Sequence, residues 1–180
     1  RRGGWANLLV DEEMLRTKNI RLVSTVRGGD ITYHGPGQLV GYLILDMRSG
    51  RTDIRRLVEN VEEVVLRAAA DFGVTGHRDE KSRGVWVNGR KIASIGFAVS
   101  RGISFHGFAI NANNDLTPFQ WIHPCGLKDV SMTSLLEERK RPVDMAQLQA
   151  SVKRHIAALF DASLLPVNEN ALNKAIENIG

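Results

Sequence analysis

The stretch VWVNGRKIASIGFAVSRGISFHGFAIN, residues 85–111, contains three of the strand patterns that decide the fold. Residues 85–87, 92–99 and 103–111 are rich in β-branched side chains, which favour strands. Asn88-Gly89 separates the first two patterns, and this dipeptide is the strongest short signal for a β-hairpin because both turn positions take a positive φ. The stretch therefore predicts adjacent antiparallel strands.

Two long helices are predicted on either side of this stretch. Between Asp53 and Phe72, apolar residues recur at spacings of three and four, which is the pattern of a helix with one buried face. Thr52 is the predicted cap of this helix and Gly73 its predicted end. The second helix is predicted from Met145 to Phe160, with Asp144 as its cap.

Weaker patterns complete the secondary structure. Residues 8–17 and those after Asn170 have helical patterns, and strand patterns occur at 20–26, 31–33 and 39–45. Strands and helices do not alternate strictly along the chain. This arrangement predicts an α+β fold in which a mixed, mainly antiparallel sheet packs against helices.

Composition restricts the classes to which the protein can belong. Of 180 residues, 43% are hydrophobic and 24% charged, with no repeat or linker, so residues 1–180 are predicted to form a single compact domain. One cysteine cannot form an internal disulfide, which indicates a reducing, cytoplasmic location. No apolar stretch approaches the roughly 20 residues that a membrane helix needs. The net charge of +4 favours acidic partners.

A glycine-rich block, RGGDITYHGPGQ at 27–38, is the first candidate site. Its glycines allow the backbone to approach a ligand closely. Phosphate-loop and dinucleotide motifs do not fit, since no Gly-Lys-Ser/Thr follows and Val40 stands where the dinucleotide motif needs glycine. The other interpretation of the block is a pair of glycine-rich turns with Arg27 and His34 at the surface.

Cys125, between Pro124 and Gly126, is the second candidate. Most lone cysteines are small buried hydrophobic residues, but a thiol held in a loop is better placed to meet a substrate. A thiol with an ordinary pKa of about 8.5 needs a nearby cation or base to act as a nucleophile. His123 and Lys91 are candidates for that partner, although a surface position at a strand end is the commoner role for a lysine. The five histidines show no metal-ligand spacing, so no metal is predicted.

Four blocks together resemble the bacterial-type lipoyl(octanoyl) transferases. They are RGGDITYHGPGQ at 27–38, GRKIASIG at 89–96, SFHGFAIN at 104–111 and PCG at 124–126, in that order along the chain. The match covers about positions 5 to 136. Members of that family normally carry a further N-terminal strand and helix, so the chain is expected to begin after that segment. The resemblance implies a fold like that of lipoate and biotin protein ligases.

The resemblance also implies a reaction. An octanoyl group moves from octanoyl-acyl carrier protein to a specific lysine of a lipoyl domain, through an acyl-thioester on the enzyme. The implied acceptors are the lipoyl domains of 2-oxoacid dehydrogenase complexes and the glycine cleavage H protein. This reaction is the first step of endogenous lipoate synthesis, and it implies no cofactor, no nucleic acid and no membrane.

Site residues follow from the resemblance by position. Cys125 is implied as the nucleophile and Lys91 as its dyad partner, since a protonated lysine beside a thiol favours the thiolate. Backbone N–H groups near 94–96 or 125–126 are candidates to stabilise the carbonyl oxygen. The side chains of Ile95, Phe97 and Phe108 are expected to line an acyl tunnel. The implied acyl-substrate pocket comprises Arg27, Gly28, Gly29, Asp30, Ile31, Thr32, Tyr33, His34, Ser94, Ile95, Gly96, Gly107, Phe108 and Ala109.

Two other functions stay open on the sequence alone. An ATP-dependent lipoate or biotin ligase of the same fold also combines a glycine-rich block with a lysine, but it forms an adenylate and needs no cysteine. The glycine spacing in 27–38 argues against that activity. A non-catalytic basic module that binds nucleic acid or a carrier protein is the third candidate, although 6% aromatic residues and no stacking motif disfavour nucleic acid.

Overall fold

The computed structural model describes residues 5–48, 50, 52–79, 82–123 and 130–177. The α-helices are α1 (Glu12–Thr17), α2 (Ile54–Asp71), α3 (Leu135–Arg139), α4 (Met145–Phe160) and α5 (Glu169–Glu177). The strands are β1 (Gln38–Tyr42), β2 (His77–Arg78), β3 (Val85–Val87), β4 (Arg90–Ser100) and β5 (Ile103–Asn111). Within the described residues, two short 3₁₀ helices span Trp5–Asn7 and Thr117–Trp121.

The five strands form one sheet in the order β1-β5-β4-β3-β2, and each neighbouring pair is antiparallel. The hairpin at Asn88-Gly89 is confirmed, because both residues have positive φ and Arg90 pairs with Val87 across the turn. The β4–β5 ladder places Gly96 directly opposite Gly107. The predicted α+β class with a mainly antiparallel sheet is therefore confirmed.

Helices α2 and α4 pack against each other and against the sheet. Leu57, Val61 and Leu148 have no exposed surface and share one hydrophobic core with side chains of β3, β4 and β5. Each such burial contributes about 1.5–3 kcal/mol of stability. None of the helices in the described ranges is long and apolar enough to cross a membrane.

The helix ends follow from their capping residues. Helix α4 has the predicted bounds, and Asp144 caps it by accepting backbone N–H bonds of the first turn. The predicted cap of α2 is wrong, because Asp53 rather than Thr52 is the N-cap and its Oδ1 accepts from the N–H of Arg56 at 2.7 Å. Both residue types can cap a helix, so the start of α2 shifts by one residue without changing the helix.

Two predicted strands are wrong. Residues 20–26 and 31–33 join no strand of the sheet. Their β-branched composition suits a strand, but a strand also needs a partner strand, which composition does not specify, and Gly29 between them has a φ of 83° that breaks an extended run. The short elements β2 and α3 were not predicted, because two and five residues are too few to show a periodic pattern.

Side chains along each strand alternate between a core face and a second face of the sheet. The hydrophobic core between the sheet and helices α2 and α4, which we call the helical core, includes Phe97 and Phe108, and Ile95 packs against it. Their neighbours in sequence therefore face the other side. We call this second surface the small-residue face, and it is formed by Ser94, Gly96, Gly107 and Ala109.

Candidate functional site

Lys91, on β4, is a buried lysine with only 1% of its surface exposed. Its Nζ donates a hydrogen bond to Oγ of Ser82 at 3.3 Å and lies 5.3 Å from the ring centre of Trp86. A charged amine is costly to bury without partners, so these polar and aromatic groups help to keep it inside the protein. Lys91 is therefore not a surface lysine at a strand end, which was the other role considered for it from the sequence.

The backbone of Lys91 is paired with a segment that follows Cys125 in the sequence. The N–H of Lys91 donates to the carbonyl of Ser131 at 2.8 Å, and its carbonyl accepts from the N–H of Thr133 at 2.9 Å. The pairing of β4 with β5 begins only at Ala93, and at Lys91 this segment takes the place of β5 beside β4, with a parallel bridge between Lys91 and Met132. Residues far apart in sequence are thereby neighbours in the sheet.

Cys125 itself lies outside the described residues, within 124–129. Just before that stretch, the N–H of His123 donates to the carbonyl of Asn7 at 2.8 Å. The side-chain Nδ2 of Asn7 in turn donates to Oδ2 of Asp30 at 2.7 Å. The residue before 124–129 is therefore linked through Asn7 to the glycine-rich block, and the residues after 124–129 are paired with Lys91.

The first part of the glycine-rich block lies directly on β4. The N–H of Gly28 donates to the carbonyl of Phe97 at 2.8 Å. A Cβ atom at Gly96 would lie 2.7 Å from the carbonyl oxygen of Gly28 and 3.5 Å from Cδ of Arg27. The missing side chain at position 96 thus allows Arg27 and Gly28 to approach the strand, and the first two sequence blocks meet there.

The end of the same block is held by a polar network around Gln38. Oε1 of Gln38 lies 3.1 Å from Nδ1 of His34, and its Nε2 donates to Oδ1 of Asn111 at 2.8 Å. Asn111, which is almost fully buried, donates to the carbonyl of Thr133 at 3.0 Å. One network therefore connects the glycine-rich block, the end of β5 and the segment beside Lys91.

A 3₁₀ helix covers the middle of the block. The ring of Phe119 meets the ring of Tyr33 edge-on, with 5.6 Å between the ring centres. The helix begins where the backbone N–H of Thr117 donates to Oδ1 of Asp115 at 2.8 Å. This bond, with a second from the Thr117 side chain, holds the pKa of the Asp115 carboxyl below its ordinary value. The carboxylate is therefore charged at neutral pH and fixes the start of the helix.

The remaining candidate pocket residues divide between the two sides of the sheet. In the β4–β5 ladder, Ser94 pairs with Ala109 and Gly96 with Gly107, so small side chains line the second face. Ile31 and Thr32 are half-buried, and Gly29 is exposed. The side chains of Ile95, Phe97 and Phe108 lie on the helical side instead of in the expected tunnel, because strand alternation turns them into the core. The backbone is the part of Ile95 and Phe108 that remains near the small-residue face.

Sequence reasoning missed the groups that surround the lysine side chain. Ser82 and Trp86 reach Lys91 through the β3–β4 pairing and the loop before it, which no local pattern indicates. Glu62, which contacts the same loop, did leave a signal, because it stands in the apolar stripe of α2 between Val61 and Val65. An acidic residue in such a stripe is a recognisable exception.

Two further features of the described residues concern a metal site and a cavity. Among those residues, no group of three His, Cys, Asp or Glu side chains could hold a metal ion. A cavity of about 480 Å³ lies between the end of α2 and the start of α4, and its lining includes Arg139, Arg141 and Arg154. That cavity contains no residue of the four sequence blocks.

Comparisons with known proteins identify a family and similar proteins. The family model of the lipoyl protein ligase A/B catalytic domain matches residues 2–157. A curated octanoyltransferase of Desulfotalea psychrophila is 49% identical over 162 residues, which are 89% of this chain and 73% of that protein.

Solved structures show the same fold at low sequence identity. A lipoate-protein ligase A bound with ATP superposes with a TM-score of 0.75 at 15% identity, covering 93% of this chain and 71% of that one. The biotin protein ligase of Aquifex aeolicus gives a TM-score of 0.56 at 17% identity, covering 69% of this chain and 53% of that one. The expected likeness to the lipoate and biotin ligase fold is therefore confirmed.

Proposed function

Because the chain belongs to the lipoyl protein ligase A/B catalytic domain family, we propose that it transfers an octanoyl group from octanoyl-acyl carrier protein to a specific lysine of lipoyl domains. The acceptors are the lipoyl domains of 2-oxoacid dehydrogenase complexes and the glycine cleavage H protein. The name octanoyltransferase carried by a relative of 49% identity supports this activity. The observation that carries the proposal is a buried Lys91 whose backbone pairs with the segment following Cys125.

In the first step, the thiolate of Cys125 attacks the thioester carbonyl of the acyl carrier. A new C–S bond forms on Cys125, the C–S bond to the carrier breaks, and the carrier leaves as a thiol with a proton from Nζ of Lys91, so that this amine is neutral when the second step begins. One thioester replaces another, so no ATP is required. The positive charge of a nearby Lys91 favours the thiolate form of the nucleophile.

In the second step, the lysine amine of the lipoyl domain attacks the acyl-Cys125 carbonyl. A C–N bond forms, the C–S bond breaks, and the amine must lose a proton that Nζ of Lys91 accepts and passes to the departing thiolate. The partners of Lys91 support this role, because Oγ of Ser82 accepts a hydrogen bond from Nζ and keeps it in place. No metal or cofactor takes part.

The acyl chain lies along the small-residue face in this proposal. The pairs Gly96–Gly107 and Ser94–Ala109 give this face small side chains, and the backbone of Gly28 packs directly against Gly96 at one end of it. The net charge of +4 suits two protein substrates that are acidic, since complementary charge speeds docking.

The test is intact-mass analysis after mixing the protein with octanoyl-acyl carrier protein and then with a lipoyl domain. Wild type is expected to gain one octanoyl group, and Cys125→Ala to gain none. Lys91→Ala is expected to transfer the group about 100 to 10,000 times more slowly, the usual contribution of a general base. Lys153→Ala, at an exposed position of α4, serves as the matched control and is expected to behave as wild type.

Other outcomes point to other functions. If folded wild type takes no octanoyl group from the carrier but releases pyrophosphate from ATP in the presence of free lipoate, the protein is a ligase instead. An adduct that persists on Cys125→Ala would refute the thioester on Cys125.

A further inference from the structure

Glu62 is a carboxylate with no exposed surface on the core side of α2. Its Oε1 accepts a hydrogen bond from the backbone N–H of Gly84 at 3.0 Å. Its Oε2 receives no hydrogen bond from the residues that the structure describes, and it lies 3.5 Å from Nε of Arg78 and 3.8 Å from Nη1 of Arg83. A buried carboxylate is retained at a cost. Here it connects α2 to the residues just before β3, which we call the 82–84 segment.

The 82–84 segment lies against the end of the Lys91 side chain. Oγ of Ser82 accepts from Nζ of Lys91 at 3.3 Å. A Cβ atom at Gly84 would lie 2.6 Å from Cε of Lys91 and 3.3 Å from its Nζ. Position 84 therefore accommodates only a hydrogen, and the segment forms a wall along the lysine.

Trp86 completes this wall. Its Nε1 donates to the backbone carbonyl of Ser82 at 3.1 Å, and its ring centre lies 5.3 Å from Nζ of Lys91. Since Trp86 directly opposes Lys91 in the β3–β4 ladder, one side chain both holds the 82–84 segment and faces the amine. The segment is thus fixed at two points, by Glu62 at Gly84 and by Trp86 at Ser82.

We infer that Glu62, Ser82 and Trp86 are positioning residues that fix Nζ of Lys91 for proton transfer in the second step. The inference rests on the proposed function, in which Lys91 takes the proton of the incoming amine. A lysine carries its amine on a flexible four-carbon stem, so contacts such as these help to define where the amine lies. Misplacement of a reacting group by about 1 Å can cost about 100-fold in rate.

The experiment is a double-mutant cycle on the rate of octanoyl transfer, measured under single-turnover conditions with enzyme in excess. Ser82→Ala removes the hydroxyl but keeps the carbonyl that Trp86 binds. It is expected to lower the transfer rate about ten-fold or more without raising the KM for the lipoyl domain. In the Lys91→Ala background the same change is expected to have no further effect, because Ser82 acts through the lysine.

Further variants separate positioning from folding. Ser82→Thr retains a hydroxyl and is expected to restore most of the rate. Glu62→Gln keeps an acceptor for the N–H of Gly84 and is expected to lose less rate than Glu62→Leu. Glu59→Gln, on the same helix but only half-buried and paired with Arg55, is the matched control. Urea denaturation of each variant identifies losses that come from unfolding.

The outcomes distinguish this inference from the proposed function. If Ser82→Ala transfers at the wild-type rate, or loses the same factor with and without Lys91, the positioning role is refuted while the acyltransferase remains. If Lys91→Ala itself transfers as fast as wild type, the proposed role of Lys91 fails, and the positioning role fails with it.

Discussion

Replacing Gly84 by alanine adds one methyl group between β4 and the side chain of Lys91. The new Cβ would overlap the carbonyl oxygen of Ala93 and lie 2.6 Å from Cε of Lys91. Real Cβ atoms do not approach other atoms so closely, and the Ala93 oxygen belongs to a strand that is fixed on both sides. The lysine stem and the 82–84 segment must therefore move apart.

The expected cost has two parts. Gly84 has a φ of 130°, and an alanine held in such a region costs about 1–3 kcal/mol. Overpacking in a well-filled interior costs about another 1–3 kcal/mol. The free energy of unfolding should therefore fall by about 2–6 kcal/mol, which corresponds to a decrease of about 1–3 M in the urea midpoint for an m-value near 2 kcal/mol/M.

Gly73→Ala is the matched control, since Gly73 has a φ of 76° and no atom within 4 Å of its Cβ position. This variant is strained but not crowded, so its stability should fall by only about 1–2 kcal/mol. Both variants are compared by urea denaturation and by the rate of octanoyl transfer. In Gly84→Ala the transfer rate should also fall in the folded protein, because the amine is displaced. Equal shifts in the urea midpoint for the two variants would refute the packing argument.

Two further predictions concern parts of the fold that hold the site in place. Asn111→Ala leaves the Thr133 carbonyl and the Gln38 amide without their buried partner, so the free energy of unfolding measured with urea should fall by about 2–3 kcal/mol. Asn173→Ala, on the exposed face of α5, is the control and should change it by less than about 0.5 kcal/mol. The pKa of the Asp71 carboxyl is held below its ordinary value, first by the hydrogen bond from Ser151. The charged carboxylate therefore adds to the free energy of unfolding above pH 3.8, and this addition is lost as the pH falls further. The stability difference between wild type and Asp71→Asn should accordingly be largest near neutral pH and shrink below pH 3.8, and a difference that grows on acidification would contradict this sign.

Elements with strong local patterns could be predicted from the sequence. The apolar spacing of α2, the bounds and Asp144 cap of α4, and the Asn88-Gly89 hairpin each depend on residues within one or two turns of each other. Strand patterns without a partner were misleading at 20–26, because a strand is stabilised by pairing that its own sequence does not specify.

The four sequence blocks determined the family and the fold, since residue types at fixed spacing are a property of the chain itself. They also identified Lys91 as a candidate, but not its surroundings. Only the tertiary structure decided that Ile95 and Phe108 point into the helical core and that Lys91 is buried against Ser82 and Trp86. The physical reason is that burial and side-chain contacts arise between segments distant in sequence, where strand alternation and sheet register, rather than local composition, fix which atoms meet.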